Sequence, residues 1–137
     1  MADRVALMKH RIEQARECLK SAEILICEEA YRDAMNRAYY SMFHSARAVL
    51  AIDNFDSKKH SGIISAFRER YVKTGKISSH LSRMIGTAFE MRNDSDYQDF
   101  YIVSKDDVTE QAENAKQFLL AVEEYIKTIS ENELCQD

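Results

Sequence analysis

The chain has 137 residues, 45% hydrophobic and 31% charged, with a formal net charge of −4, no proline and three glycines. A chain of this length can bury a core as one domain without disulfides or a structural metal. The shortage of turn-forming residues argues against an all-β protein and for long helices joined by few connections. Val5, Met8, Ile12, Ala15, Leu19, Ala22 and Ile26 recur at spacings of three and four, which predicts a first helix over about 4–29. A second, over about 31–53, buries Met35, Tyr39, Met42, Ala46 and Val49. A short third, over about 58–72, ends near Gly75, which can take the left-handed conformation after a helix C-terminus. The fourth, over about 78–93, carries Leu81, Met84, Ile85, Ala88 and Met91 inward, with Gly86 expected to permit a close helix approach.

Residues 95–103 read as an extended acidic and aromatic connection in which Phe100 and Ile102 pack inward and Tyr97 faces outward. Ser104, followed three residues later by Asp107, caps the last helix, whose stripe is Val108, Ala112, Ala115, Leu119, Val122, Ile126 and Ile129. The expectation is an all-α antiparallel up-down bundle of four long helices and one short one, a single domain over 1–137 with a polar tail at 130–137.

No early stretch has the apolar core of a signal peptide, and no run of roughly 18 uncharged apolar residues occurs, so a cytoplasmic protein without a membrane span is expected. Cys18 and Cys27 lie on opposite faces of one helix and cannot pair with each other. With Cys135 in the tail, all three read as reduced thiols. There is no metal-ligand spacing, glycine-rich phosphate loop or Walker lysine, and no cofactor is implied.

Charge is uneven. Residues 57–92 hold eight Lys or Arg against two acids, whereas residues 93–137 hold three against twelve. The basic middle either attracts a phosphate-bearing ligand or pairs with the acidic C-terminal helix inside the fold. Arg92 extends the apolar stripe of the fourth helix, within about 20° of Leu81. It is either a terminal cation satisfied by Asp96 at i+4 or an arginine placed to grip a phosphate. On the second helix Asp33, Arg37, Tyr40, His44 and Arg47 fall within about 80° of arc. Such a stripe is either a solvated face or a surface for phosphate or nucleotide. Next to two arginines, His44 is disfavoured as a cation and becomes a neutral acceptor.

The run 36–50 (NRAYYSMFHSARAVL), then Lys59-His60-Ser61-Gly62, then 91–97 (MRNDSDY) resembles the HEPN domain family. The likeness covers nearly the whole chain, from about residue 8 to residue 126. It implies a helical bundle that dimerises, small prokaryotic proteins often partnered with a minimal nucleotidyltransferase in toxin–antitoxin-like pairs, and, in many members, RNA cleavage. The cleaving members place a histidine a few residues beyond the arginine. Here the arginine is Arg92, and the positions for that histidine hold Tyr97, Gln98 and Asp99. Tyrosine is only about 0.1% phenolate at pH 7 and makes a poor base. The resemblance therefore implies a degenerate ribonuclease centre at Arg92 and Tyr97, unless His44 or His60 folds into it. The leading reading is an RNA- or nucleotide-binding module using Arg37, Tyr40, His44, Arg47, Arg92 and Asp96. The alternatives are a metal-independent endoribonuclease toxin and a helical scaffold without ligand.

Overall fold

The computed structural model describes residues 2–129. It is all-α, and the order is α1 (Ala2–Cys27), α2 (Tyr31–Ile52), α3 (His60–Phe67), a π-helical turn (Arg68–Val72), α4 (Ser79–Tyr97) and α5 (Lys105–Lys127). The tail at 130–137, with Cys135, lies outside the described residues. Cys18 is buried, Cys27 is exposed, and both are free thiols. No helix among the described residues is long and apolar enough to cross a membrane.

The helix most surrounded is α2, which packs on α1, α3, α4 and α5. Its sequence explains why: Ala34, Met35, Ala38, Tyr39, Met42, Ala46 and Val49 are all fully buried, and the alanines let neighbours approach. The α1/α2 pair is antiparallel, since Arg4 donates to the Ile52 carbonyl, Arg11 to that of Arg47, and Ser41 Oγ to that of Ala15. Likewise α4 runs antiparallel to α2, with Arg92 at Tyr40 and Arg32 donating to the Ser95 carbonyl. Ser104 Oγ accepts from the Asp107 N–H at 3.0 Å, the expected cap of α5. Within α5, Val108, Ala112, Ala115, Leu119 and Val122 are buried as the stripe requires.

Three local features depart from the sequence pattern. First, α4 does not stop near 93 but continues through Asp94, Ser95, Asp96 and Tyr97. An Arg92–Asp96 contact at i,i+4 exists only in a helix, Gln98 Nε2 donates back to Asp94 Oδ1 at 3.0 Å, and Ser95 is fully buried against α2. Second, Phe100 and Ile102 face solvent, 96% and 85% exposed, while Val103 is buried and Tyr101 half-buried. Arg32 holds the Tyr101 carbonyl at 2.6 Å and so fixes the alternation of this short connection in the register opposite to the expected one. Third, the close approach at Gly86 is made by a side chain. A Cβ on Gly86 would stand 2.7 Å from Arg68 Nη2, so the glycine, at a helix-interior cost of about 0.5–1 kcal/mol, leaves room for that guanidinium.

Gly75 does adopt φ +77° after the π-helical turn. That turn widens the helix and carries Tyr71 into the core, where its hydroxyl donates to the Val49 carbonyl at 2.9 Å and lies 2.8 Å from Asp53 Oδ2. Replacing Tyr71 with Phe keeps the ring but leaves a buried carbonyl unpaired. A loss of about 1–2 kcal/mol in urea unfolding is expected; an unchanged midpoint would show that the hydroxyl contributes nothing.

Candidate functional site

Where α4 crosses α2, Arg92 lies against the tyrosine pair. Its guanidinium carbon is 5.6 Å from the ring centre of Tyr39 and 5.4 Å from that of Tyr40. Nη2 donates to the Tyr40 hydroxyl at 3.3 Å and Nη1 to Asn93 Oδ1 at 3.2 Å. Nε is 3.0 Å from Asp96 Oδ2, but its N–H makes no hydrogen bond, so that contact is coulombic. The side chain is only 15% exposed. Arg92 thus has the acid neighbour at i+4 that its position in the helix allows, and it keeps N–H groups without a partner beside the tyrosine pair.

The start of α3 brings His60 into the same cluster. Its Nδ1 is 3.0 Å from the Tyr39 hydroxyl, and its ring centre lies 4.3 Å from that of Phe43 and 5.5 Å from that of Tyr40. Burial, then the charges of Arg92 and Arg47, push the His60 pKa below its ordinary 6.5, so the imidazole is neutral at pH 7. Burial also pushes the Tyr39 phenol upward, with Tyr40 adding to the effect and Arg92 opposing it, which keeps that hydroxyl protonated.

The α2 stripe continues the site. Arg37 lies 5.2 Å over the Tyr40 ring and donates to Asn36 Oδ1 at 2.7 Å. The rings of Tyr40 and His44 are 6.0 Å apart, and Arg47 lies 5.8 Å over Phe43. Burial first, then Arg47, Arg37, Arg11 and His10, lower the His44 pKa to about 4, in line with the neutral acceptor read from sequence. Arg11 and Asp56, neither of them picked out by periodicity, hold Arg47: Asp56 Oδ2 is 3.0 Å from Arg47 Nη2 and 3.2 Å from Arg11 Nη2. Burial acts to raise the Asp56 carboxyl pKa, but the bond from Arg47 and the Ser57 N–H hold it below the usual range. An apolar spacing pattern cannot reveal Arg11, because the stripe passes from Met8 to Ile12 without it.

His44 Nδ1, Arg47 Nε and Arg92 Nε are buried without a hydrogen bond on this face, as are Ser95 Oγ on α4 and Gln111 Oε1 on α5. Two of the sequence candidates stand apart. Tyr97, the last residue of α4, is 76% exposed and makes none of these contacts, and Asp33 is exposed at the start of α2. Among the described residues, no three of His, Cys, Asp and Glu are grouped as metal ligands. The basic segment 57–92 is not neutralised by the C-terminal helix as one reading held. Among the described residues its ion pairs go to Asp53, Glu69 and Asp96, while Lys58, Lys59, Lys76 and Arg83 stand exposed.

The HEPN domain model matches residues 8–125. The chain belongs to the HEPN family. It is 32% identical over 129 residues to a UPF0332 protein of Thermotoga maritima, covering 94% of this chain and 98% of that one. Two proteins of Methanocaldococcus jannaschii, each named as a putative toxin, are also similar. One is 43% identical over 86 residues, covering 63% of this chain and 64% of its own length; the other is 32% identical over 121, covering 88% and 81%. In this HEPN bundle Arg92, the tyrosine pair and His60, far apart in sequence, meet at one crossing.

Keeping His44 neutral has a thermodynamic consequence. The unfolded chain takes up a proton near pH 6.5, whereas the folded chain does so only near pH 4, so stability falls as pH drops through that window. The contribution is about 3 kcal/mol at most. Replacing His44 with Phe should flatten the loss of thermal stability between pH 7 and pH 4.5 relative to the parent. Identical acid slopes in the two proteins would refute this.

Proposed function

We propose that this HEPN-family protein is a toxin-like binding module that grips a phosphate of RNA or of a nucleotide with Arg92, as a homodimer acting with a minimal nucleotidyltransferase. The observation that carries the reading is Arg92 itself: a guanidinium 15% exposed, seated on Tyr39 and Tyr40, with its acid neighbour off hydrogen-bond geometry. An arginine held against two aromatic rings and bonded to the Tyr40 hydroxyl and to Asn93 keeps its guanidinium in one place, and its remaining N–H groups suit the two oxygens of a phosphodiester. Arg37 and Arg47 add positive charge along the same face, Tyr40 and His44 add neutral hydrogen-bonding groups, and Asp96 orients the guanidinium. The relatives named as toxins support the toxin-like part. Tyr97, exposed beside Asp96, is the hydroxyl that a partner transferase would reach to attach a nucleotide.

His60 favours a second reading, a metal-independent endoribonuclease. A neutral imidazole beside Arg92 can take the proton of an RNA 2′-hydroxyl as its oxygen attacks phosphorus. The 5′-oxygen then leaves as it takes a proton from water, the hydroxide so formed is neutralised by the imidazolium, and a 2′,3′-cyclic phosphate remains. Arg92 would stabilise the extra negative charge of the pentacovalent state. In this reading His60, carried on a different helix, takes the place of the histidine missing at Tyr97, Gln98 and Asp99.

Labelled RNA incubated with pure protein in EDTA decides between the two. The binding module retains intact RNA, loses roughly tenfold or more in affinity on Arg92→Ala, and weakens steeply between 50 and 200 mM salt. Cleavage in EDTA that Arg92→Ala abolishes would establish the ribonuclease instead. RNA binding equal in the parent and Arg92→Ala would remove Arg92 from both.

A further inference from the structure

A recess lies between α3 and α4, with its lining residues Phe89 and Glu90 within one helical turn of Arg92 along α4. It encloses about 350 Å³ and is lined by Ser61, Ile64, Arg68, Gly86, Phe89 and Glu90 together with Ser65, Glu69 and Lys73, within the size range of small-ligand sites. The Arg68 guanidinium is fixed on one side of it: Nε donates to Ser82 Oγ at 2.8 Å and Nη2 to the Ser82 carbonyl at 3.1 Å. These bonds set the plane of the group and leave Nη1 unspent. No carboxylate among the described residues pairs with Arg68, since the adjacent Glu69 is taken by Lys73 at 2.9 Å. Gly86 reserves the space, because any side chain there would displace Nη2. Glu90 stands exposed at the rim with no ion pair among the described residues. Phe89 is the wall shared with the Arg92 site, its ring centre 5.7 Å from that of Tyr39.

Three chemistries thus meet in one recess: an aromatic face, a rigid donor without a counter-anion, and a free carboxylate acceptor. A bare phosphate is not favoured, since the charges of Arg68 and Lys73 on the lining are offset by Glu69 and Glu90. An apolar ligand would cover the free Nη1 of Arg68 without giving it a partner. A flat heterocycle with an acceptor edge beside a donor edge satisfies all three, and among the nucleobases guanine has that pattern. Its O6 and N7 accept from an arginine, while its N1–H and N2–H donate to a carboxylate. Adenine presents an amino donor where guanine has O6, and the pyrimidines lack N7. The aromatic face supplies stacking to any base, so Arg68 and Glu90 carry the discrimination.

We propose that the α3/α4 recess is a guanine-binding subsite, stacked on Phe89 and read by Arg68 and Glu90. Its place in a strand, at the nucleotide next to the phosphate gripped by Arg92, rests on the RNA reading above; its base preference does not. The test is an amide chemical-shift titration of labelled protein with 5′-GMP, 5′-AMP, 5′-CMP and 5′-UMP, in the parent and in Glu90→Gln, a change at an exposed position. GMP should shift the Gly86 and Phe89 amides and bind about tenfold tighter than AMP, and Glu90→Gln should bring GMP down to the level of AMP. Four nucleotides binding alike at the recess, or none perturbing Gly86 and Phe89, would overturn the proposal. Failure of the RNA reading shows elsewhere, as RNA binding indifferent to Arg92→Ala, and leaves a Glu90-dependent GMP response standing.

Discussion

The seating of the Arg92 guanidinium on the Tyr39–Tyr40 pair is the interaction on which the arrangement of this bundle turns. A cation so little exposed has lost most of its water and needs compensation at once. Two aromatic faces give part of it, on the order of 0.5–2 kcal/mol each when desolvated, and Asp96 gives part through charge. That requirement sets the neighbouring structure. Helix α4 must stay helical through Asp96 to bring the carboxylate to i+4, it must run antiparallel to α2 so that residue 92 meets residue 40, and Ser95 must be buried where Arg32 can bind its carbonyl. His60 then fills the remaining side of the cradle, its Nδ1 on the Tyr39 hydroxyl.

The electrostatics follow from the same crowding. Arg92 and Arg47 lower the pKa of His60, and Arg47, Arg37 and Arg11 lower that of His44, with burial the leading cause in both. Two histidines, His44 on α2 and His60 on α3, are thereby kept neutral inside a cationic face, so uncharged acceptors stand among fixed donors. A phosphodiester, which carries charge on two oxygens and a hydroxyl nearby in RNA, is complementary to that mixture. The exposed lysines and arginine of segment 57–92 extend the positive field outward on a molecule whose net charge is −4, so the attraction is local and sensitive to salt.

Most of the fold was legible in the periodicity. The buried face of α2, the stripe of α5, its Ser104 cap and the left-handed Gly75 follow from spacing and capping chemistry alone. The departures have one cause in common, which is a long side chain from elsewhere overriding a local pattern. Arg32, reaching over from α2, binds the Ser95 and Tyr101 carbonyls, lengthens α4 and reverses the alternation that placed Phe100 and Ile102 inside. Arg68 occupies the space that Gly86 was expected to give to another helix. Of the candidate site, Arg92, Tyr40, His44, Arg37, Arg47 and Asp96 do lie along one continuous face. The juxtaposition of His60 with Arg92, 32 positions apart, and the bridging of Asp56 by Arg11 across 45 positions beside Arg47 leave no signal in spacing.

The central claim is that Arg92 shares one site with Tyr39, Tyr40 and His60, whose pKa it lowers together with Arg47, whereas the charges that depress His44 are those of Arg47, Arg37, Arg11 and His10. Titration of the histidine ring protons by NMR, in the parent and in Arg92→Leu, tests it most directly. Removing the Arg92 charge should raise the His60 pKa toward its ordinary value and leave the depressed His44 titration near pH 4 in place. A His60 titration unchanged by Arg92→Leu would contradict the account.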